Sequence, residues 1–205
     1  MEAFDPLSYE NLGASVARAL DDQPVFPLSE LSQFDGAGVY MLFYSGDFEP
    51  YARLSEHNRE TPGSWPIYIG KAEAEKSRKG DPNQRDVLDG PKLFKRMNEH
   101  RRSIVQAENL DIEDFSCKSL VVAPAWVQLA EIIAIRMHQP LWNSLLDGFG
   151  NHAPGSGRAS MVRPRWDTLH PGRSWASVLG ERAETVDDVI VDVEGYLEMN
   201  EPEHL

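Results

Sequence analysis

A run of six apolar and aromatic residues without alternation, residues 39–44, constrains the fold of this chain more than any other feature. Such a run, preceded by the turn-forming residues 36–38, predicts a strand that is buried on both faces. Residues 66–70 predict a second short strand that ends in glycine, and residues 118–123 predict a third. We therefore expect a small sheet in which the first two strands pair.

The segments around these strands predict one helix and two connections. Residues 7–20 have the apolar spacing of an amphipathic helix, and Asp5-Pro6 before them is typical of a helix N-terminus. Residues 45–66 contain several turn-forming dipeptides and predict a long irregular connection. Residues 71–90 are polar and interrupted by glycine and proline, and they predict a loop that orders on its partner.

Two further helices begin at prolines. Pro91 begins the first, and on it Arg96 and His100 project on one side because they are four residues apart. The second helix is predicted over residues 124–138 and is apolar except for Glu131 in its middle. These three polar side chains are therefore candidates for chemistry.

The formal net charge of −13 argues against a nucleic-acid partner, because DNA affinity comes largely from Lys and Arg. The charge is unevenly distributed, however. Residues 61–107 carry 10 basic and 6 acidic groups and residues 151–180 carry 4 and 1, whereas residues 1–60 and 181–205 each sum to −8. Two basic segments can form one face for a polyanion. Solvated surface charge explains the same distribution equally well.

The chain contains a single cysteine, Cys117, which excludes an intrachain disulfide and a cysteine-rich zinc site. The N-terminal residues lack the pattern of a signal peptide, and no stretch of about eighteen uncharged apolar residues follows. The sequence therefore predicts a soluble cytoplasmic protein with no membrane partner.

An ordered set of motifs resembles that of the GIY-YIG nucleases. The set consists of Gly38-Val39-Tyr40 and Tyr68-Ile69-Gly70 on strands, Arg96 and His100 on one helix, Glu131 on the next, and Asn143 beyond it. The helix before this core and the Gly-Phe-Gly-Asn-His sequence at residues 148–152 resemble the restriction-endonuclease branch. The spacing between the two tyrosines is longer than is common in the family, and we expect the extra residues to loop out.

The resemblance implies a compact α+β fold with a small, mainly antiparallel three-stranded sheet flanked by helices. The chain is then a single domain, residues 1–205, with the catalytic core at 36–143. Residues 1–35 form an N-terminal helical extension. Residues 144–205 supply DNA-recognition loops and an acidic tail, which we expect to be solvated.

The resemblance also implies hydrolysis of DNA phosphodiesters, which needs an activated water, a Lewis acid and positive charge facing the transition state. Glu131 is the expected ligand of Mg²⁺, with Mn²⁺ as a substitute, because a carboxylate among apolar neighbours is costly to bury unpaired. A salt bridge from Glu131 to Arg136 or another cation is the alternative. Arg96 would contact the scissile phosphate, and His100 would accept or relay a proton.

Tyr40 and Tyr68 would position the water, and one of them would act as general base if nearby cations such as Lys71 stabilise its phenolate. Which tyrosine does so stays open, and so does simple packing of both in the core. Asn143 would order the site by hydrogen bonds, unless it is only a C-cap or turn residue. The residues expected to contact DNA are Asn151, His152, Arg158, Arg163, Arg165 and Arg173.

The expected function is therefore that of a type II restriction endonuclease, which cleaves double-stranded DNA at a GC-rich palindrome. A palindrome calls for two active sites related by a twofold axis, so we expect a homodimer, functioning beside a cognate DNA methyltransferase. A catalytically inactive DNA-binding module and a repair or mobile-element GIY-YIG nuclease are the alternatives.

Overall fold

The computed structural model describes residues 5, 8–73, 90–152 and 161–202. The helices are α1 (Tyr9–Asp21), α2 (Ala52–Glu60), α3 (Lys92–Gln106), α4 (Pro124–His138), α5 (Leu141–Ser144), α6 (Arg165–Leu169) and α7 (Val186–Met199). The strands are β1 (Phe26–Pro27), β2 (Gly38–Tyr44), β3 (Tyr68–Ala72) and β4 (Phe115–Val121). Short 3₁₀ turns occupy Leu28–Glu30, Glu49–Tyr51 and Ile112–Asp114.

The strands form one antiparallel sheet in the order β1-β4-β2-β3. Mixed α and β structure with an antiparallel sheet is confirmed, but the predicted number of three strands is wrong, since the described residues contain four. The additional strand, β1, pairs Phe26 with Cys117 and Pro27 with Ser116. Two residues are too few to produce a periodic pattern, so this strand could not be predicted from the sequence.

Strand β2 lies in the centre, and all seven of its residues are buried. Because successive side chains point to opposite faces, Val39, Met41 and Phe43 pack against helices α1 and α4. Tyr40 and Leu42 face the larger core on the other side, which includes residues of α3, α5, α6 and α7. The continuous apolar run therefore reflects burial on both faces, and it places Tyr40 on the same side of the sheet as α3.

The segment predicted as irregular, residues 45–66, instead contains helix α2, so that prediction is wrong. Leu54 is fully buried. The Asn58 side chain donates to the carbonyls of Tyr44 and Trp65 and accepts from the Trp65 backbone N–H. The helix is mostly polar and is held by such side-chain hydrogen bonds, so it lacks the apolar periodicity from which helices are predicted.

The acidic tail is also not simply solvated surface. Most of it forms helix α7, which begins with a capping box between Thr185 and Asp188. Val189, Val193 and Leu197, spaced four residues apart, are buried in the larger core. The acidic residues cover the outer face of a helix whose inner face is apolar.

Helices α1, α3 and α4 lie where the sequence predicts them, whereas the short helices α5 and α6 were not predicted. Helix α4 spans Pro124–His138 as predicted, and it ends at Gln139, whose φ of 43° breaks the helix before Pro140. Helix α1 is capped by Ser8, not by Asp5 as predicted. Most of the predicted loop at 71–90 lies outside the described residues. No helix in the described part of the chain combines the length and apolar character needed to cross a membrane.

Candidate active site

The glycines of the two strand motifs have steric roles. Tyr40 on β2 is paired with Gly70 on β3, and a Cβ at position 70 would lie 2.4 Å from the Tyr40 hydroxyl oxygen. A Cβ at Gly38 would lie 2.0 Å from the carbonyl oxygen of Leu120 on β4. These glycines let the strands close around the Tyr40 ring, whose centroid lies 6.2 Å from that of Tyr68.

Helix α3 brings Arg96 and His100 to these tyrosines. The His100 ring lies 5.8 Å from the Tyr40 ring and 5.0 Å from the Tyr68 ring, between centroids. His100 is only 1 % exposed, whereas the Arg96 side chain is 24 % exposed. The four-residue spacing therefore puts a buried imidazole and an accessible guanidinium beside the same pair of hydroxyls.

The turn at residues 148–152 forms the opposite wall of the site. Phe149 stacks on His100 with centroids 4.5 Å apart. The Gly150 carbonyl accepts a 3.0 Å hydrogen bond from Arg96 Nη2. A Cβ at position 150 would lie 3.3 Å from both Arg96 Nη2 and the Tyr68 hydroxyl. Glycine at this position allows the turn to approach the reactive groups closely.

The mouth of the site is polar. Arg96 Nη1 lies 3.0 Å from both Glu99 Oε2 and His152 Nε2. Together with Asn151, these residues line a cleft of about 180 Å³ beside His100. Of the expected DNA contacts, Asn151 and His152 are therefore exposed next to Arg96.

Asn143 holds the edge strand β3 in place. Its side-chain Oδ1 accepts from the Ile69 N–H and its Nδ2 donates to the Ile69 carbonyl, both at 2.8 Å. The amide thus reproduces the hydrogen bonds of a neighbouring strand at the residue between Tyr68 and Gly70. Asn143 therefore holds the strand that carries Tyr68, and its side chain does not line the cleft.

Glu131 is paired with Lys71. The Lys71 Nζ lies 3.1 Å from Glu131 Oε2 and 2.9 Å from Glu73 Oε1. Burial raises the pKa of the Glu131 carboxyl, and Lys71 partly offsets that effect. The salt-bridge partner of Glu131 is therefore Lys71, a cation other than the Arg136 that the sequence suggested.

The electrostatics of the site favour neutral forms of its titratable groups. Burial raises the pKa of Tyr40 well above its usual value near 10, and the neighbouring Tyr68 raises it further while Arg96 lowers it. Burial also raises the pKa of Tyr68, again opposed by Arg96. Burial, followed by the charge of Arg96, lowers the pKa of His100 well below 6.5. At neutral pH both tyrosines are protonated and His100 is an uncharged imidazole.

Two buried polar atoms face this site without a hydrogen-bond partner among the described residues, namely the Tyr40 hydroxyl and His100 Nε2. Buried polar atoms are normally paired, so unpaired ones mark a place where a water or substrate atom is expected. Their position suits groups that must hold and deprotonate a water.

The donor set fits a hard divalent cation held by one protein carboxylate. Within residues 5, 8–73, 90–152 and 161–202, no three His, Cys, Asp or Glu side chains converge as a closed metal site. The Glu131 side chain is 21 % exposed, and its charge acts on both Tyr40 and Tyr68. Magnesium commonly binds one or two carboxylates and fills its other positions with water and phosphate oxygens.

The arginines expected to contact DNA lie elsewhere or are already engaged. Arg158 lies outside the described residues. Arg163 donates to the carbonyls of Ala176 and Ser177, and Arg165 pairs with Glu184 and Asp192. Arg173 is 2 % exposed and paired with Asp167. The sequence could not reveal these partners, because arginine that binds DNA and arginine that binds its own chain have the same local pattern.

Sequence reasoning missed Phe149 and Gly150 as parts of the site, and Glu99 as a partner of Arg96. Phe149 is apolar and gave no chemical signal. The paired glycines at 148 and 150 were the one available hint, because glycines flanking an aromatic residue mark close approach of the backbone. Glu99 was not singled out, because an exposed glutamate on a helix is common and carries no signal of its own.

An antiparallel sheet that presents two tyrosines to an arginine and a histidine, with a glutamate on the next helix, defines a GIY-YIG nuclease. The particular family follows from a scan against protein families, in which residues 32–197 match the Eco29kI GIY-YIG domain. The match covers most of the chain, so the protein belongs to this family of restriction endonucleases. Membership supports nuclease activity on DNA. No curated protein matches the chain.

Proposed function

We propose that this protein is a type II restriction endonuclease that uses Mg²⁺ to cleave double-stranded DNA at a GC-rich palindrome. The observation that carries the proposal is the clustering of Tyr40, Tyr68, Arg96 and His100, with the Glu131 carboxylate acting on the same tyrosines. GIY-YIG nucleases are generally dependent on divalent metals. The coarser class, a restriction-type nuclease, is given by the family.

Arg96 is the group that meets the scissile phosphate. Its guanidinium stays charged at any working pH, and its planar donors match phosphate oxygens. Nη1 is at present shared by Glu99 and His152, both at the open side of the cleft. A phosphate that enters the cleft displaces the Glu99 carboxylate, while the bond from Nη2 to the Gly150 carbonyl keeps the guanidinium oriented.

Tyr40 and Tyr68 orient the attacking water, and His100 receives its proton. Both tyrosines are protonated at neutral pH and therefore cannot serve as bases until added positive charge lowers their pKa values. The neutral His100 imidazole has an unpaired Nε2 and can accept a proton from the water or from the Tyr40 hydroxyl. The water oxygen then bonds to phosphorus, and the ester oxygen leaves.

Glu131 would hold the metal. When bound there, Mg²⁺ supplies the Lewis acidity that neutralises charge developing on the phosphate. Lys71 neutralises the same carboxylate in the absence of metal, at 3.1 Å. A metal held by Glu131 would therefore compete with Lys71 for this carboxylate, and Lys71 would retain its contact to Glu73.

Specificity is proposed to reside in the segment after the core. Asn151 and His152 are exposed at the cleft, where they reach base edges or phosphates. Arg158 remains a proposed DNA contact, and its bidentate match to guanine supports a GC-rich target. A palindromic target supports a homodimer with two symmetric sites. A cognate methyltransferase and a cytoplasmic location complete the proposed restriction system.

The test is digestion of unmethylated phage DNA by wild type and by Glu131→Ala, each with Mg²⁺ and with EDTA. We expect wild type to cut only with Mg²⁺ and Glu131→Ala to bind DNA without cutting. Glu194→Ala, an exposed change on α7, is the matched control and should cut like wild type. Full cutting by Glu131→Ala would remove the metal assignment, and DNA binding without any cutting by wild type would favour an inactive binding module.

A further inference from the structure

We propose that Arg173 is a positioning residue that holds one wall of the active site in place; this inference rests on the proposed nuclease function. Arg173 comes from the C-terminal segment and does not reach the cleft tyrosines. It acts through the turn at residues 148–151, which carries Phe149 and Gly150 to the catalytic groups.

The Arg173 guanidinium is enclosed on both faces. It lies 4.4 Å from the Trp166 ring and 4.6 Å from the Trp175 ring. Asp167, which is 2 % exposed, accepts from it twice, with the Nε to Oδ1 distance at 2.6 Å. A planar cation sandwiched between indole rings and paired bidentately is fixed in one orientation.

The donors left over by Asp167 bind the turn. Arg173 Nη2 donates to the Gly148 carbonyl at 2.9 Å, and Nη1 donates to the carbonyls of Phe149 at 3.1 Å and Asn151 at 3.4 Å. The intervening carbonyl, that of Gly150, accepts from Arg96 Nη2 at 3.0 Å. Two guanidinium groups, the buried one of Arg173 and the more exposed one of Arg96, therefore hold four consecutive carbonyls.

The turn transmits this constraint to the catalytic groups. Phe149 is stacked on His100 and packs 4.9 Å from the Tyr68 ring, between centroids. Displacement of the turn would release both the imidazole and the Arg96 guanidinium from their positions. The charge of Arg173 also contributes, after burial and Arg96, to lowering the pKa of His100. Arg173 thereby affects both the placement and the protonation of the proposed proton acceptor.

Only arginine satisfies this set of contacts. Lysine keeps the charge, but its ammonium has three donors on one nitrogen and no planar face to lie between two indoles. A buried ion pair by itself is weak evidence of function, because such pairs also serve stability alone. The test must therefore separate a loss of catalysis from a loss of folding or of DNA binding.

The experiment compares wild type with Arg173→Lys in single-turnover cleavage of phage DNA with Mg²⁺ and in DNA binding with EDTA. We expect the cleavage rate to fall about 10- to 100-fold, as for outer residues that orient catalytic ligands, while binding is retained. Arg163→Lys, whose contacts are the carbonyls of Ala176 and Ser177, is the control and should retain the wild-type rate. Thermal unfolding checks that each variant is folded.

Two more variants keep the inference testable if Arg173→Lys does not fold. Trp175→Leu removes one face of the sandwich from a half-buried position, and it should lower the rate in the same direction. Arg173→Met removes the charge and should move the acid limb of the pH-rate profile to higher pH. Folded Arg173→Lys or Trp175→Leu with a wild-type rate would overturn the inference, as would an equal loss in Arg163→Lys. Inactive wild type would instead overturn the proposed function.

Discussion

Two arginines hold the same turn of the candidate active site, and their surroundings differ. Arg96 on α3 is 24 % exposed, and two of its partners, Glu99 and His152, lie at the open cleft where a phosphate can replace them. Arg173 is 2 % exposed, and all three of its nitrogens bind Asp167 or backbone carbonyls. Residue type alone therefore does not assign an arginine to DNA. Exposure and replaceable partners distinguish the arginine that we propose meets substrate from the one that we propose supports it.

The sharpest test of this difference is Arg96→Lys. The substitution keeps the charge but removes the planar donors, and we expect the cleavage rate to fall about 100- to 1000-fold, as when one transition-state donor is removed. Arg101→Lys, a change on the same helix at a residue that donates to the Ser29 carbonyl, should cut at the wild-type rate. A loss at Arg96 smaller than the loss at Arg173 would reverse the roles that we give to the two arginines.

Asn143→Leu tests support from the core side of the cleft. The variant leaves the Ile69 N–H and carbonyl of the edge strand without their partner, which costs about 1–3 kcal/mol of stability. We also expect slower cleavage, because Tyr68 precedes Ile69 on β3. Denaturant unfolding and cleavage assays measure the two effects. An unchanged free energy of unfolding would show that the Asn143 amide hydrogen bonds make no net contribution to stability.

The buried His170, near the C-terminal part of the chain, is expected to make the stability of the protein depend on pH. It lies in the core, with Nε2 2.6 Å from the Tyr51 hydroxyl oxygen and Nδ1 2.9 Å from Asn109 Oδ1. Burial lowers the pKa of His170 to about 3, whereas the unfolded chain titrates near 6.5. Between these values the unfolded state binds more protons, so stability falls as the pH falls, by about 2 kcal/mol from pH 7 to pH 5.

Urea unfolding of wild type and His170→Gln at pH 7 and pH 5 measures this contribution. The variant should lose less stability between the two pH values than wild type does. Some dependence should remain, because the pKa of His100 is also lowered by burial. Identical pH dependence in both proteins would contradict the assignment to His170.

The smallest expected effect concerns the end of the chain. Asp188→Ala removes half of the capping box with Thr185 at the start of α7 and should lower the stability slightly. Cleavage should be unaffected in the folded protein, because α7 supports the core and not the cleft. Thermal unfolding and a cleavage assay check the two expectations. Slower cleavage by the folded variant would show that α7 also influences the site.

The sequence predicted best where local pattern and tertiary environment coincide. The run containing Tyr40 is apolar because the strand is buried on both faces, and α4 is bounded by Pro124 and Pro140. The sequence failed where stability comes from distant partners. Helix α2 is held by the Asn58 side chain, and β1 has only two residues.

The same distinction applies to the site. The positions of Tyr40, Tyr68, Arg96 and His100 could be predicted because each residue lies on a strand or helix whose faces follow from its periodicity. The partner of Glu131 proved to be Lys71, sixty positions away in the chain, which no local pattern encodes. Arg173 was predicted to contact DNA. Its partners, the carbonyls of the 148–151 turn, lie more than twenty residues away in the chain, and no local pattern indicates them.

The central claim is that this cleft cuts DNA at one defined site, and end-sequencing of the fragments tests it most directly. Unmethylated phage DNA is incubated with wild-type protein and Mg²⁺, and every fragment end is sequenced. We predict discrete fragments whose ends share one GC-rich palindrome. Fragments with unrelated end sequences, or DNA that stays intact with Mg²⁺ present, would contradict the claim.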